Sequence, residues 1–492
     1  MNGLPINVYS VASVREIDRA AIEQTGVPGY ALMERAAAAA VREALASYPN
    51  ARRWQIVCGS GNNAGDGYAV ARIAASQEIV ASALSVADPE SLTGDAATAY
   101  GDFKAEGGVV MPWTGVIDPD AELLVDALLG SGLTRDVDGD FAAAVAAINA
   151  AGAKVLALDI PTGLHGATGR VLGCAVHADT TVTFVGLKQG QFLAYGADHC
   201  GDIRFSDLDI DSECYAGRQV EFRRIASRRV DSLLPRRKRT SHKGDFGHVL
   251  VIGGGKGMPG AVRLCGEAAL RAGAGRVSVA TDPSHAAVIV ASRPELMSHA
   301  ISGAADLDDL LVDADVIAFG PGLGRSEWAG ELVAALQKDG RPAVWDADAL
   351  NWLAESPDRA DHRIITPHPG EASNLLGVTT AEIQGDRPAA LGQLQERYGG
   401  VAVLKGAGSL VSSSTGEPWL CTFGNPGMAA PGMGDLLTGI IAALLAQGLS
   451  TEDAALAGVE LHARAGDRAA KRGERGLMAS DLLAELRGVV NS

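Results

Sequence analysis

Residues 424–448 read GNPGMAAPGMGDLLTGIIAALLAQG and are the most informative stretch of the sequence. The apolar run from Leu436 to Leu449 is too short to cross a bilayer and predicts a helix of the protein core. At the start of such a helix the backbone N–H groups form an anion site. Asp435 lies in the first turn, where a carboxylate is placed to deprotonate a hydroxyl that attacks a phosphate. A first-turn acid also complements the helix dipole, but the glycines before Asp435 favour the catalytic interpretation.

Apolar runs of strand length alternate with helical stretches on both sides of this segment, which predicts βαβ units and parallel sheets. At 492 residues the chain is expected to form two domains. A basic stretch with Pro235 marks the boundary, so we predict a domain at residues 1–217, a linker at 218–243 and a second domain at 244–492. The linker charges are expected either to pair with the acidic domains, which we favour, or to bind phosphate.

Composition limits the possible partners. The formal charge of −17 argues against nucleic acid or an anionic membrane as the main partner. The six cysteines are scattered without metal-type spacing, which is typical of reduced thiols in a cytosolic protein. The first residues show no signal-peptide pattern. We therefore expect a cytoplasmic enzyme, and we also expect a homo-oligomer.

The segment GSGNNAGDG, residues 59–67, follows a strand of the first half and leads into a helix predicted from about Asp66. Two amides, a carboxylate and several glycines at a helix start suit a phosphate, and amide oxygens also suit a hard cation. Asp126 and Asp159 each end a predicted strand. Because the carboxyl ends of parallel strands form the binding crevice, we expect these groups around one site.

The pieces GSGNNAGDG, DALLGSGL and LDIPTG, in this order between about Val14 and Asp209, resemble the NAD(P)H-hydrate epimerase domain, which is a Rossmann-like three-layer αβα fold. That family interconverts the R and S forms of NADH or NADPH hydrated at C6 of the nicotinamide ring. The resemblance implies that Asp159 is the acid/base. It implies substrate contacts at Asn62, Asn63, Ala64, Gly65, Asp66, Gly130, Ser131, Gly132, Leu133, Thr134, Arg135 and Asp136. It implies potassium ligands at Asn63, Asp126 and Thr162. Ala64 departs from the usual glycine, which is acceptable only where the backbone does not need a positive φ.

The second half carries SHKGDFGHVLVIGG, RAGAGRVSVA, FGPGLG, ITPHPGEASNLL, VLKGAGSLV and GNPGMAAPGMGD. Together they resemble the ADP- or ATP-dependent NAD(P)H-hydrate dehydratases, which have a ribokinase-like α/β fold, phosphorylate the C6 hydroxyl and eliminate phosphate. The resemblance implies hydrate contacts at Ala261, Gly322, His368 and Asp435. It implies nucleotide contacts at Lys405, Gly406, Ala407, Gly408, Ser409, Gly432 and Gly434. Pro431 departs from the usual glycine and removes one N–H donor.

The two resemblances predict one bifunctional repair enzyme, with ADP as phosphoryl donor, Mg²⁺ in the dehydratase domain and K⁺ in the epimerase domain. Its small-molecule partners would be the hydrates of NADH and NADPH and ADP. Two alternatives stay open at this point. The second half fits a ribokinase-like kinase for a vitamin precursor, and the first half fits a non-catalytic binding module of a scaffold protein.

Overall fold

The computed structural model describes residues 3–412 and 416–492. The chain divides into two compact units, Met1–Phe222 and Arg223–Ser492. The strands of the first unit are β1 (Asn7–Tyr9), β2 (Arg53–Cys58), β3 (Val80–Ser85), β4 (Val109–Pro112), β5 (Leu123–Ala127), β6 (Lys154–Leu158), β7 (Thr180–Phe184), β8 (Leu187–Lys188) and β9 (Asp202–Ser206). Its helices are α1 (Val11–Thr25), α2 (Gly29–Ser47), α3 (Asn62–Ser76), α4 (Gly94–Ala105), α5 (Gly139–Ala150) and α6 (Gly196–His199).

The main sheet of the first unit is parallel, in the order β4-β3-β2-β5-β6-β7-β9. Both faces are covered, because successive side chains of a strand point to opposite sides. Ile56 packs in a cluster with residues of α2 and α3, whereas its neighbour Val57 packs with residues of α5. The chain runs outward from β2 through β3 to β4 and then returns to the other side of β2 as β5. Such a reversal is a topological switch point, beside which open α/β sheets bind ligands.

The boundary segment is folded. It contains β10 (Val220–Arg224) and α7 (Ser227–Leu233). Arg223 pairs with Glu417 at 2.8 Å and Arg229 with Asp453 at 2.8 Å, while Arg237 donates to the Gln447 side chain at 2.8 Å. These basic residues are therefore held by acidic and polar side chains of the second unit.

The second unit continues the alternation of strands and helices. Its further strands are β11 (His248–Ile252), β12 (Arg276–Thr281), β13 (Met297–Ala300), β14 (Val316–Phe319), β15 (Ala343–Trp345), β16 (Arg363–Ile365), β17 (Val401–Leu404), β18 (Leu410–Val411) and β19 (Trp419–Leu420). Its further helices are α8 (Pro259–Ala272), α9 (Ala286–Ser292), α10 (Asp308–Asp313), α11 (Glu327–Leu336), α12 (Asp348–Glu355), α13 (Pro369–Leu376), α14 (Thr380–Gly385), α15 (Arg387–Tyr398), α16 (Met433–Ala446), α17 (Thr451–Ala469) and α18 (Ala479–Val489).

The sheet of this unit runs β13-β12-β11-β14-β15-β16-β17-β18-β19. It is parallel as far as β17, and β18 and β19 add antiparallel strands. Helix α16 lies in the core, since its residues from Leu436 to Leu445 are all buried. Gly439 allows α8 to approach, because a Cβ there would lie 2.0 Å from the Cys265 carbonyl oxygen. Among the described residues, every helix falls short of the length and apolar character needed to cross a bilayer.

Candidate functional site

A cavity of about 600 Å³ opens at the carboxyl ends of β2, β5 and β6 in the first unit. The structure brings most of the predicted substrate contacts together there. These lining residues are Asn62, Asn63, Asp66, Gly130, Ser131, Gly132, Leu133, Thr134 and Arg135, and Asp159, the expected acid/base, also lines the cavity. The remaining predicted contacts, Ala64, Gly65 and Asp136, lie outside the lining.

The geometry of the first turn of α3 explains why Ala64 and Gly65 lie outside the cavity lining. The helix begins at Asn62, four residues before the predicted start, after Gly61 at a φ of 76°. Ala64 is completely buried and is not among the residues with a positive φ, so the methyl group fits where the family usually has glycine. Gly65 faces α4, because a Cβ there would lie 2.7 Å from the Ala96 Cα. The side chains of Asn62 and Asn63 therefore lie in the first turn of α3, where the backbone N–H groups have no partners within the helix.

Asp159 forms an ion pair with Lys188 at the floor of this cavity. The Lys188 side chain is 1% exposed and its ammonium also donates to the Thr183 hydroxyl at 3.0 Å and the Phe184 carbonyl at 2.9 Å. A buried ammonium needs such partners, because its desolvation is costly. Asp159 has a φ of 66°, a left-handed backbone that is uncommon for a residue other than glycine and that clusters at functional sites.

Two further carboxylates, Asp18 and Asp66, lie near enough to Lys188 for its positive charge to act on their pKa values. Burial raises the pKa of Asp18 to about 6, and the Lys188 ammonium only partly offsets this. Burial, followed by the negative charge of Asp159, raises the pKa of Asp66 well above its usual range. Three carboxylates around one ammonium favour states in which at least one of them holds a proton, and a group of this kind is suited to proton transfer.

Asp126 and Thr162 lie side by side at the ends of β5 and β6. The Thr162 hydroxyl donates to Asp126 Oδ1 at 2.7 Å and the Thr162 N–H to Oδ2 at 2.8 Å. Asp126 is fully buried, and no cationic side chain of the described residues pairs with it. Burial raises its pKa to about 6, against the lowering effect of the Thr162 hydrogen bonds. Nearby, the amide Nδ2 of Asn63 is buried without a hydrogen-bond partner among the described residues.

In the second unit Asp435 stands in the first turn of α16, which Gly432 precedes with a φ of 88°. Gly434 leaves room for two polar groups, since a Cβ there would lie 3.3 Å from both Asp346 Oδ2 and Lys405 Nζ. Burial and then the negative charge of Asp346 raise the pKa of Asp435 to about 6, while Lys405 opposes the shift. A carboxylate with a pKa near neutrality is a suitable general base.

Lys405 forms a largely buried network with the carboxylates of Asp346 and Glu371 beside Asp435. The Lys405 ammonium lies 2.7 Å from Asp346 Oδ1 and 3.5 Å from Glu371 Oε2. Burial alone would lower the pKa of Lys405, but Asp346 and Glu371 raise it. The Thr438 hydroxyl of α16 donates to Asp346 Oδ2 at 2.8 Å, which ties the helix to the end of β15.

His368 caps α13 in this network. Its Nδ1 accepts from the N–H groups of Gly370 at 3.0 Å and Glu371 at 3.3 Å, and its ring is 56% exposed. The Glu371 carboxylate in turn accepts from the His368 backbone N–H at 2.7 Å. The His368 ring is therefore held in place by backbone N–H groups of α13 and remains accessible to a ligand.

Ala261 and Gly322 meet at one point. A Cβ on Gly322 would lie 3.1 Å from the Ala261 Cβ and 2.9 Å from the Met258 Cβ, and Gly322 has a φ of 59°. The loop continues to Gly324, whose N–H donates to Asp348 at 2.8 Å. Asp348 is also one of the charges that raise the pKa of Asp435. Ala261 and Gly322 therefore lie side by side, and the loop after Gly322 is hydrogen-bonded to one of the charges that act on Asp435.

The predicted nucleotide loop, Lys405 to Ser409, is anchored from behind by Arg387. This guanidinium is 4% exposed and donates to the carbonyl groups of Leu404 at 3.2 Å, Lys405 at 3.3 Å and Gly408 at 3.1 Å. Gly406 has a φ of 138°, and a Cβ there would lie 2.9 Å from the Arg387 guanidinium. The loop therefore depends on glycine at this position.

Comparison with known proteins identifies the two halves. A family model described as YjeF-related protein N-terminus matches residues 29–190, and one described as NAD(P)H-hydrate dehydratase matches residues 249–487. The bifunctional NAD(P)H-hydrate repair enzyme Nnr of Coxiella burnetii is 45% identical over 485 residues, which cover 98% of this chain and 99% of that protein. The chain belongs to the bifunctional NAD(P)H-hydrate repair enzyme family.

Other members and a solved structure agree with this membership. The family member of Escherichia coli is 42% identical over 489 residues, covering 99% of this chain and 95% of that one. A ribokinase-like superfamily protein of Enterococcus faecalis is 29% identical, with a TM-score of 0.50, over 54% of this chain and 93% of its own. The family resemblance and the α/β fold predicted from the sequence are confirmed.

Sequence reasoning missed several residues of these sites. Asp18 and the pairing of Lys188 with Asp159 carry no motif of their own. Asp346 had a usable signal, because it follows β15 directly, as Asp159 follows β6. Arg387 had no signal in the sequence, because the carbonyl groups to which it donates lie about eighteen residues further along the chain.

Proposed function

We propose that this chain repairs hydrated NADH and NADPH with two activities, epimerisation of the R and S hydrates in the first domain and ADP-dependent dehydration of the S hydrate in the second. The observation that carries the proposal is the match of the whole chain to one bifunctional enzyme. In each unit the proposed catalytic carboxylate lies near a lysine ammonium, Asp159 beside Lys188 and Asp435 near Lys405. The two activities are complementary, because the epimerase supplies the form that the dehydratase accepts.

In the first domain, residues 1–217, Asp159 acts as acid and base on the C6 hydroxyl of the hydrate. Its carboxylate takes the hydroxyl proton, the C6–N1 bond breaks as the C6 carbonyl forms, and the bonding electrons pass to N1. After rotation about the C5–C6 bond, N1 attacks the other face of the carbonyl, and the new alkoxide takes the proton back from Asp159. Lys188 supports this role, since its ammonium balances the charge of Asp159 and fixes the orientation of the carboxylate. The Asn62 and Asn63 turn and the loop from Gly130 to Asp136 would hold the substrate phosphates and sugar.

A potassium ion fits Asp126, Thr162 and Asn63, because these residues offer a carboxylate, a hydroxyl and an amide oxygen, which are the ligands that hard cations prefer. Asp126 is fully buried, and no cationic side chain of the described residues is among the influences on its pKa. A bound ion would supply positive charge at this place. The residues themselves hold the β5 and β6 loops together through the Thr162 hydrogen bonds.

In the second domain, residues 244–492, Asp435 takes the proton of the C6 hydroxyl as that oxygen attacks the terminal phosphorus of ADP. An O–P bond forms, the bond to the bridging oxygen breaks and AMP leaves. The C6–O bond then breaks, inorganic phosphate departs with the bonding electrons, and a proton is lost from the adjacent ring carbon, which gives NADH or NADPH. The N–H groups at the start of α16 would stabilise the charge on the phosphoryl group.

The nucleotide is proposed to lie along Lys405 to Ser409 and the glycines Gly432 and Gly434. Magnesium enters such sites mostly through the substrate phosphates with one or two carboxylates, and it would neutralise charge on the transferred group. The acidic residues around Asp435 suit it, namely Asp346, Asp348 and Glu371. ADP rather than ATP, a homo-oligomeric state and a cytoplasmic location stay predictions from the sequence.

Product analysis tests the dehydratase half. The S hydrate of NADH is incubated with ADP and magnesium, and the products are separated by chromatography. We expect NADH, AMP and inorganic phosphate in equal amounts. A phosphorylated hydrate that accumulates without NADH would contradict the elimination step and would favour a simple kinase.

A further inference from the structure

A second cavity, of about 540 Å³, lies in the first unit and shares no lining residue with the cavity that contains Asp159. Ser85 at the end of β3 and Pro112 at the end of β4 line it. Ser85 pairs in register with Cys58 of β2 on one side and with Pro112 on the other. Because the three strands are parallel and end at the same level, both cavities open at one edge of the sheet.

The topology places α3 between the two cavities. Strand β2, which leads into α3, has β3 and β4 on one side and β5 and β6 on the other. The first cavity contains Asn62 of α3 and the loop after β5, whereas the second lies over β3 and β4. In doubly wound sheets a dinucleotide crosses such a switch point with its diphosphate at the central helix start and one nucleoside on each side.

We infer that this second cavity binds the adenosine half of the hydrated dinucleotide, while the first cavity holds the nicotinamide half. The inference rests on the proposed epimerase function for the identity of the substrate. It also goes beyond that function, because it assigns a binding site and a preference between the two hydrates.

The lining suits a purine. Trp113 follows β4 directly and is half-buried, so its ring can cover a base while its backbone N–H stays bonded to the Ser85 carbonyl at 2.8 Å. Tyr100 supports the wall from behind, because it is 8% exposed, packs edge to face against Tyr68 with the ring centres 5.1 Å apart, and has the Lys104 ammonium 5.0 Å from its ring centre. Trp113 is therefore the ring of the lining that can stack on a base. Aromatic rings bind bases by stacking, which tolerates different bases but needs a fixed platform.

The charges of the cavity favour an unphosphorylated ribose. Asp88 follows β3 and caps the turn Pro89–Ser91, with Oδ1 accepting from the Glu90 N–H at 3.0 Å. A carboxylate after this strand accepts hydrogen bonds from ribose hydroxyls and repels a 2′-phosphate. Lys104, the cation of the lining, already pairs with Glu90 at 3.2 Å. We therefore expect the epimerase to prefer the hydrate of NADH over that of NADPH.

Kinetics of the full-length enzyme test the site, with epimerisation of the R hydrate followed by chromatography and no ADP present. Trp113→Ala should raise KM for the NADH hydrate roughly 10-fold to 100-fold with little change in kcat, and Trp113→Phe should retain most of the affinity. Asp88→Ala should narrow or reverse the preference for the NADH hydrate. Asp120→Ala, an exposed change before β5 at the other edge of the sheet, is the matched control.

A truncated substrate distinguishes a loss of adenosine binding from a loss of folding in the Trp113→Ala variant. The hydrate of reduced nicotinamide mononucleotide lacks the adenosine half, so its kcat/KM should be the same in the wild type and in Trp113→Ala. Equal losses on both substrates would show that Trp113 acts only on folding, and unchanged KM values for the intact hydrate would show that the base binds elsewhere. Either result overturns the proposal.

A photoaffinity probe tests adenosine binding in the cavity independently of activity. A wild type that epimerises neither substrate would refute the proposed function, but the probe would still show whether the cavity binds adenosine. Azidoadenosine monophosphate is irradiated with the full chain and the labelled peptides are mapped by mass spectrometry. We expect an adduct on the peptide that contains Trp113, suppressed by excess NADH, separate from any label at Lys405 to Ser409. Labelling confined to the second unit would overturn the adenosine site.

Discussion

The pH dependence of dehydration follows from the surroundings of Asp435. Burial and the charges of Asp346 and Asp348 raise the pKa of this carboxyl to about 6. A general base works only when it is deprotonated, so kcat/KM for the S hydrate, measured at low hydrate concentration, should fall as the pH drops through about 6. At about pH 5 roughly one tenth of Asp435 is ionised, and kcat/KM should be about one tenth of its plateau. A carboxyl with the usual pKa would still be almost fully ionised there.

The assay measures initial rates of NADH formation from the S hydrate at saturating ADP and magnesium, between about pH 5 and about pH 8. Asp348→Asn removes one negative charge and keeps an oxygen that can accept from Gly324, so the midpoint should move to lower pH. Asp361→Asn, at a side chain that is 82% exposed, should leave it unchanged. An identical midpoint in wild type and Asp348→Asn would refute this account, because the ionisation of ADP itself is common to both.

Three other outcomes test separate parts of the structure. Asp159→Asn should slow epimerisation by about 10²-fold to 10⁴-fold while dehydration of the S hydrate stays normal, and a normal epimerisation rate by chromatography would remove Asp159 from the mechanism. Asp126→Asn should make epimerisation insensitive to exchange of K⁺ for Na⁺, and a retained K⁺ response would place the ion elsewhere. Gly322→Ala forces a Cβ into a left-handed backbone against Ala261, so denaturant unfolding should show a loss of about 1–3 kcal/mol, and wild-type stability would contradict the observed φ.

Local signals in the sequence were sufficient for the elements that bind phosphate. The glycines before Asp435 and the apolar run after it are contiguous, and α16 begins at Met433 as the pattern indicates. The start of α3 was less predictable. Asparagine and aspartate favour helix caps over helix interiors, so the pattern predicted a helix from about Asp66, whereas Asn62 already lies in the first turn.

Networks between distant parts of the chain could not be predicted in this way. Asp346 and Lys405 are 59 residues apart and meet because β15, β16 and β17 are neighbours in the sheet. The same holds for Asp159, which follows β6, and Lys188, which ends β8, because they pair across 29 residues. The charges that set the pKa of Asp435 come from such pairings, so its titration required the structure.

Repair of the pure R hydrate of NADH with ADP and magnesium requires both proposed activities to act in sequence. We expect the near-ultraviolet absorbance of reduced nicotinamide to return completely in the wild type. In Asp159→Asn only the slow spontaneous epimerisation should feed the reaction, and in Asp435→Asn the R hydrate should equilibrate with the S form without any return of absorbance. If the wild type restores no absorbance with either ADP or ATP, the proposed repair function is wrong.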